Sequence, residues 1–425
     1  MMNKIVTIVM GLAVLLQFPA YAQETEAEKN IEIHGFLMGN YSRRTSSQRP
    51  DGKEGDDFLL AEERFRLDVF GWTESIEASI RFKGDLLYDH VAKEFDTDTR
   101  ELYLDYTTGA FDFRLGRQIV TWGVGDLLFI NDVFPKDYVA FFSGRPLEYL
   151  KIGSDALKIS FHPDIFSAEL VVIPFFEPNN LPESDRFLLF DPFPQISSRK
   201  KEEPNTTREN TQLALRLYRR IKEFDVSAYA YRGFWLTQNM KPDDLTAPTR
   251  VINFYPDLSV YGLSVQSAVL DGVLSFETGY YQSREDEAGK DPFIRNSQIR
   301  ALIGYQRQIW QDFTADVQYY SEYMLHHEEY VENLPEGAPK LDEYRDIATI
   351  RLTQLLMHQT LKLSFFAFYS PIDEDYLIIP EVKYNITDEL SVALGANIFG
   401  GPEDTPHFGQ FDKNDNIYTV IKYEF

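Results

Sequence analysis

Over and over along this chain, side chains alternate between apolar and polar for stretches of about ten residues, and few folds tolerate such a pattern. From Ile76 to Leu86 the even positions are apolar or glycine and the odd ones polar or charged. Phe65, Leu67 and Val69 oppose Arg64, Arg66 and Asp68 in the same way. So do Phe111, Phe113 and Leu115 against Asp112 and Arg114, and Leu213, Leu215 and Leu217 against Gln212 and Arg216. A period of two belongs to extended strands, whose successive side chains point to opposite faces. Strands of soluble sandwiches usually run to about 5 or 6 residues, so these longer ones suit a bilayer. No apolar stretch beyond the amino terminus is long enough for a helical span. A sheet in lipid must close on itself so that every backbone donor and acceptor is paired. The expected fold is therefore all-β, a closed antiparallel transmembrane β-barrel.

The connections between strands alternate in length. Short turns are expected at 71–74, 107–110, 162–164, 270–273, 309–312 and 385–388. Longer polar segments fall between them at 42–57, 90–98, 118–154, 174–209, 238–256, 284–297, 326–342 and 400–414. Short periplasmic turns opposite long extracellular loops are the topology of bacterial outer-membrane barrels. The spacing predicts about 18 strands, with 16 as the alternative. The faintest strands are Phe224–Trp235 and Tyr376–Asn385.

Both ends of the sequence agree with that destination. Lys4, the apolar run Ile5–Leu16 and Ala20-Tyr21-Ala22 read as a secretory signal peptide over 1–22. A short periplasmic segment, 23–30, would follow, and the barrel would span 31–425 as an integral part of the outer membrane. Ile417, Thr419, Ile421, Tyr423 and Phe425 share one face, and Tyr423 with the terminal Phe425 resembles the aromatic-x-Phe signal read by the barrel assembly machinery. Aromatics near strand ends, among them Trp72, Tyr106, Trp235, Trp310 and Tyr384, suit the two headgroup levels. The absence of cysteine removes disulfides and thiolate metal sites from consideration.

One segment is too apolar to be an ordinary loop. Between Gln118 and Ser154 lie Phe129, Ile130, Phe134, Tyr138, Phe141 and Phe142, which need somewhere to bury. Packing inward would make this a constriction or plug, with Arg117, Trp122, Asp126, Asn131 and Asp137 as its candidate functional residues. Packing on itself would make it an external cap. Pro174–Pro194, rich in phenylalanine, is a second excursion of this kind within the long loop 174–209.

The motif Gly116-Arg117-Gln118 with Trp122-Gly123, followed by Asn131, Pro135 and Asp137, resembles a family of Gram-negative barrels related to alginate-export porins. That resemblance covers about residues 111–194. It implies an outer-membrane conduit whose long loops fold over or into the mouth. Because some members are encoded beside RND-type exporters, it also implies an inner-membrane exporter as a partner to test.

Charge separates further classes. The formal net charge of −25 argues against nucleic acid as a partner. The expected lumen positions are more balanced: Arg64, Arg66, Arg81, Lys83, Arg114 and Arg216 accompany Asp68, Asp85 and Asp112. Such a wall either favours anionic solutes, by the logic of charged pores, or is filled by cross-strand ion pairs. The acidic loops are expected to be solvated faces, with divalent-cation bridging to lipopolysaccharide phosphates as the alternative. None of the seven histidines falls in a nucleophile, zinc or general-base motif, so no enzyme, cofactor or metal is expected. A solute channel is the leading expectation. A non-conducting structural or surface-binding barrel and a barrel hydrolase are the alternatives.

Overall fold

The computed structural model describes residues 30–425 apart from 47, 51–56, 74, 337, 339 and 404–406. The expected signal peptide and most of the short segment after it lie outside the described residues. The chain enters with β1 (Asn30–Arg44), β2 (Phe58–Thr73), β3 (Ala78–Asp89), β4 (Glu94–Thr108) and β5 (Phe111–Gln118). It continues through β6 (Ser154–Phe161), β7 (Ser167–Ile173), β8 (Arg199–Glu202), β9 (Gln212–Ile221), β10 (Phe224–Phe234), β11 (Asn239–Pro242) and β12 (Val251–Phe254). Then come β13 (Asp257–Val269), β14 (Gly272–Ser283), β15 (Gln298–Trp310), β16 (Phe313–Met324) and β17 (Tyr344–Leu356). The last four are β18 (Leu361–Ser370), β19 (Asp375–Asn385), β20 (Leu390–Gly400) and β21 (Asn416–Glu424). Eighteen of these form one sheet in which each strand is antiparallel to its sequence neighbour, and β1 pairs with β21 to close the ring. The other three, β8, β11 and β12, form a separate small sheet in the long loops. Eighteen strands exclude the alternative of 16.

The side-chain faces follow the period of two. Leu213, Leu215 and Leu217 on β9 are exposed on the outer wall, while Gln212 and Ala214 on the other face are buried inside. On β14, Phe276 and Tyr280 face outward and Ser275, Glu277, Gly279 and Tyr281 inward. An apolar outer wall on a closed sheet is the architecture of an integral outer-membrane protein.

Some boundaries differ from the sequence expectation. The predicted external segment 90–98 is cut to 90–93, because β4 begins at Glu94 and continues the hairpin with β3. A connection of only four residues, 371–374, joins β18 to β19 at the long-loop end. The two faint strands form as β10 and β19. In β19, Pro380 lacks a ladder N–H, and the pairing with β20 skips from Ile378 to Glu381. Trp235, expected at the lipid interface, is instead 3% exposed and stacks on the inward-facing Tyr281.

The seam is finished by the last residue. Gly35 N–H donates to the Phe425 carbonyl at 2.9 Å, and Phe425 N–H returns the bond at 3.0 Å. A Cβ on Gly35 would stand 2.6 Å from the Phe425 ring, so the glycine makes the seat for that ring. Phe65 stacks on its neighbouring side at 6.2 Å. Deleting Phe425 removes both bonds and the ring at once. The expected result is poor closure, read as loss of the heat-modifiable folded band on gels while secretion is unchanged.

Candidate functional site

The segment 119–153 lies inside the barrel, where its side chains and backbone bond to lumen-facing residues on many strands. Val120, Trp122, Leu128, Ile130, Phe134, Phe141 and Phe142 form one buried cluster with Val171, Tyr229, Val260, Leu302, Phe366 and Phe399 of the wall. The loop's apolar composition is thus answered by apolar positions on the inner wall, and the alternative of an external cap does not describe it.

Polar anchors hold it in place. Glu277 on β14, 0% exposed, accepts backbone hydrogen bonds from Val124 at 2.7 Å, Gly125 at 3.1 Å and Asn131 at 2.7 Å. Converging amides satisfy a buried carboxylate that would otherwise be costly. Directly beside it, Gly262 and Gly279 face each other across β13 and β14. A Cβ on Gly262 would fall 1.7 Å from Asn131 Oδ1, and one on Gly279 would fall 2.8 Å from Ile130 Cγ2. The glycine pair is therefore a notch in the wall that receives Ile130 and Asn131, with the Asn131 amide donating to the Thr278 carbonyl at 3.2 Å.

Further along, the Gln318 side chain accepts from Asp126 N–H at 2.8 Å and donates to the Asp126 carbonyl at 3.0 Å. Arg351 grips the Asp126 carboxylate with contacts of 2.5 and 2.9 Å. Burial pushes that carboxyl's pKa up while Arg351 opposes the shift. Trp122 Nε1 donates to Glu169 at 2.9 Å on the opposite side. Lys136, fully enclosed, donates to Asp132 at 2.9 Å and to the Phe134 carbonyl at 2.6 Å. Its burial lowers the ammonium pKa, and Asp132 counters this.

A helix, α1 (Tyr138–Ser143), starts where the Asp137 side chain accepts from Ala140 N–H at 2.7 Å. It ends at Gly144, whose φ of 79° needs glycine. In its last turn the Phe142 carbonyl accepts from Asn397 at 3.0 Å and Asn416 at 3.1 Å, and beyond it Arg145 donates to Glu62 at 2.9 Å. The loop therefore reaches β2, β7, β14, β16, β17, β20 and β21, which together surround the lumen.

The candidate wall residues occupy inward positions, and each basic one is partnered. Arg64 and Arg66 share Asp85 at 2.8 and 2.6 Å beneath Tyr149. Arg81 pairs with Asp68 at 2.6 Å, Lys83 with Glu101 at 3.0 Å, Arg114 with Asp105 at 2.7 Å and Arg216 with Glu169 at 3.7 Å. Asp112 accepts from Thr107 at 2.6 Å. One member of the expected loop set is misplaced: Arg117 lies on β5 and pairs with Glu177 at 3.4 Å and Asp155 at 3.6 Å, not with a lumen anchor. Glu277, Gln318 and Glu62 escaped sequence reasoning. The one legible sign was a lone inward glutamate on the same strand face as Gly279. At the short-turn end remains a cavity of about 830 Å³, lined by Asp105, Asp112, Arg114, Lys158, His162 and Glu169 among others.

No protein-family model and no curated protein matches the chain by sequence. Solved structures do match its shape. OccD3 (OpdP) of Pseudomonas aeruginosa aligns over 97% of both chains with a TM-score of 0.55 at 9% identity. The fold is that of outer-membrane porins. OccK2 (OpdF) of Pseudomonas aeruginosa, solved in complex with glucuronate, aligns over 93% of this chain and 96% of its own, with a TM-score of 0.54 at 10% identity. OccAB3 of Acinetobacter baumannii aligns over 93% and 99%, with a TM-score of 0.52 at 10% identity. At such identities the likeness is one of fold.

Proposed function

We propose that this chain is an outer-membrane channel passing small solutes through a lumen that its own loop 119–153 narrows, with anions favoured over cations. The observation that carries the reading is the loop itself, anchored on opposite walls of a closed barrel by Glu277, Arg351 and Glu62. A merely structural barrel needs no such internal segment, since its sheet is already complete. A hydrolase is disfavoured because the lumen's charged side chains are largely consumed in ion pairs. The OccK2 structure with glucuronate is consistent with an anionic cargo for this fold. The kinship with alginate-export barrels suggested by the loop motif, and an exporter partner, belong to the same proposal. So does recognition of Tyr423 and Phe425 by the assembly machinery.

Ion preference is assigned to the unpaired cations. Lys158, Lys362 and Lys383 occupy inward positions and make no hydrogen bond or ion pair among the described residues. Lys362 and Lys383 are direct cross-strand partners, an arrangement of like charges that favours a mobile counter-anion. Reversal potentials in a planar bilayer under a salt gradient test this. Converting the three lysines to glutamine is expected to move selectivity toward cations. Converting Arg66, Arg81 and Arg114 should move it less, because each has its own carboxylate. No conductance from folded, inserted protein would overturn the channel reading.

A further inference from the structure

At the long-loop end of the lumen, donors outnumber acceptors. The side chains concerned are Arg295 from the loop before β15, Arg300 on β15, Glu322 on β16, Arg345 on β17, Asp373 from the turn after β18, and Trp235 after β10. Their donors are not all taken up. Glu322 takes Arg300 at 3.1 Å and the Tyr320 hydroxyl at 2.7 Å. Asp373 takes Arg345 at 3.1 Å and Ser370 at 2.9 Å. Arg295 is left with no hydrogen bond or ion pair among the described residues; its guanidinium sits 4.9 Å from the Trp235 ring centroid. Arg300 approaches the same ring at 5.7 Å and Tyr281 at 4.0 Å. Nearby His407 adds no charge of its own: burial, with Arg345 and Arg295 as its charged neighbours, holds its pKa well below the ordinary value.

A second observation is independent of the charges. Trp235 is 3% exposed, yet its indole Nε1 has no acceptor. Buried donors are nearly always satisfied, so a free indole N–H beside a free guanidinium marks a place for an acceptor from outside the chain. Asp375 also faces Arg345 and Asp373, so three carboxylates stand against three guanidiniums; what is left over is one guanidinium without a bonded partner, which suits a single carboxylate group. A planar fork matches a planar carboxylate better than it matches a tetrahedral dianion. The acidic balance of the chain, −25 overall, makes a local cationic site the more necessary for holding an anion at the mouth.

We propose that Arg295, with Arg300 and Trp235, forms a binding site for small organic monocarboxylates at the outer end of the lumen. The proposal deepens the channel reading and rests on it for its biological meaning, but its test does not need conduction. Folded protein in detergent is titrated with sodium glucuronate, acetate or pyruvate at constant ionic strength, with glucose as the neutral control, and tryptophan emission is followed. The expected result is a saturable change with at least one carboxylate and none with glucose. Trp235→Phe should abolish it although Trp72, Trp122 and Trp310 remain. Arg295→Gln should weaken binding about tenfold, as expected for one charge-assisted contact. Lys200→Gln on the small outer sheet should change nothing. Retained heat-modifiability shows that each variant is folded, and Arg295→Lys serves as a milder replacement should the glutamine variant misfold. Equal responses to carboxylates and glucose, an unaltered affinity in folded Arg295 variants, or full competition by chloride at matched ionic strength would overturn the site. Binding without conductance would keep the site and remove the channel, whereas conductance without binding would do the reverse.

Discussion

Replacing Val124–Phe142 with a short glycine-serine linker is expected to raise single-channel conductance several-fold and to admit larger uncharged solutes. The segment contributes Ile130, Phe134, Phe141 and Phe142 to the packing inside the barrel, where Phe187 and Phe411 from two other loops join the same cluster. The surrounding strands should persist, because their backbone bonds run from strand to strand and do not pass through the loop. Glu277→Leu is the finer version of the same experiment. It strips the acceptor from three buried N–H groups, each worth about 1 to 3 kcal/mol when left unsatisfied, so the loop should loosen without being removed. Its conductance is expected to fall between wild type and the linker variant, with noisier open levels. An unchanged conductance in the linker variant would place the solute path elsewhere and remove the loop from the proposed mechanism.

Leu215→Arg is expected to destabilise the barrel by about 2 to 4 kcal/mol, the cost of a cation facing lipid near the midplane. Leu215 points outward near the middle of β9, flanked on the inner face by buried Ala214 and half-buried Arg216. Ile80→Arg should act in the same direction from β3. Ser79→Arg, on the opposite face and beside the large cavity, should be tolerated. Urea-dependent folding into lipid vesicles, followed by gel mobility, gives the comparison. Equal losses for Ile80→Arg and Ser79→Arg would mean that the faces have been exchanged.

The register of these strands was legible in the sequence for a simple reason. A strand's side-chain period is two, and lipid on one side with a wet, packed lumen on the other imposes opposite chemistry on alternate residues. Thus Arg64, Arg66, Arg81, Arg114 and Arg216 could be placed inward, and Leu213, Leu215 and Leu217 outward, before any contact was known. Where that contrast weakens, so does the reading. Pro380 interrupts β19, and the four residues 371–374 are too few to look like an external loop.

The contacts in the lumen came from the folded ring alone, because their partners lie in distant parts of the chain. Glu277 meets Val124 across 153 positions, and Arg351 meets Asp126 across 225, so no local pattern announces either pair. The same holds for Trp235. Near a strand end its ring suits the lipid interface as well as the interior, and only the stacking on Tyr281 and the approach of Arg295 place it inside. That the chain must close a sheet around a polar lumen could be read from its residues, because alternation is a local property enforced by two solvents. Which lumen charges neutralise each other, and which guanidinium is left without a partner, was decided by the closure of the ring, since that alone brings those strands and loops face to face.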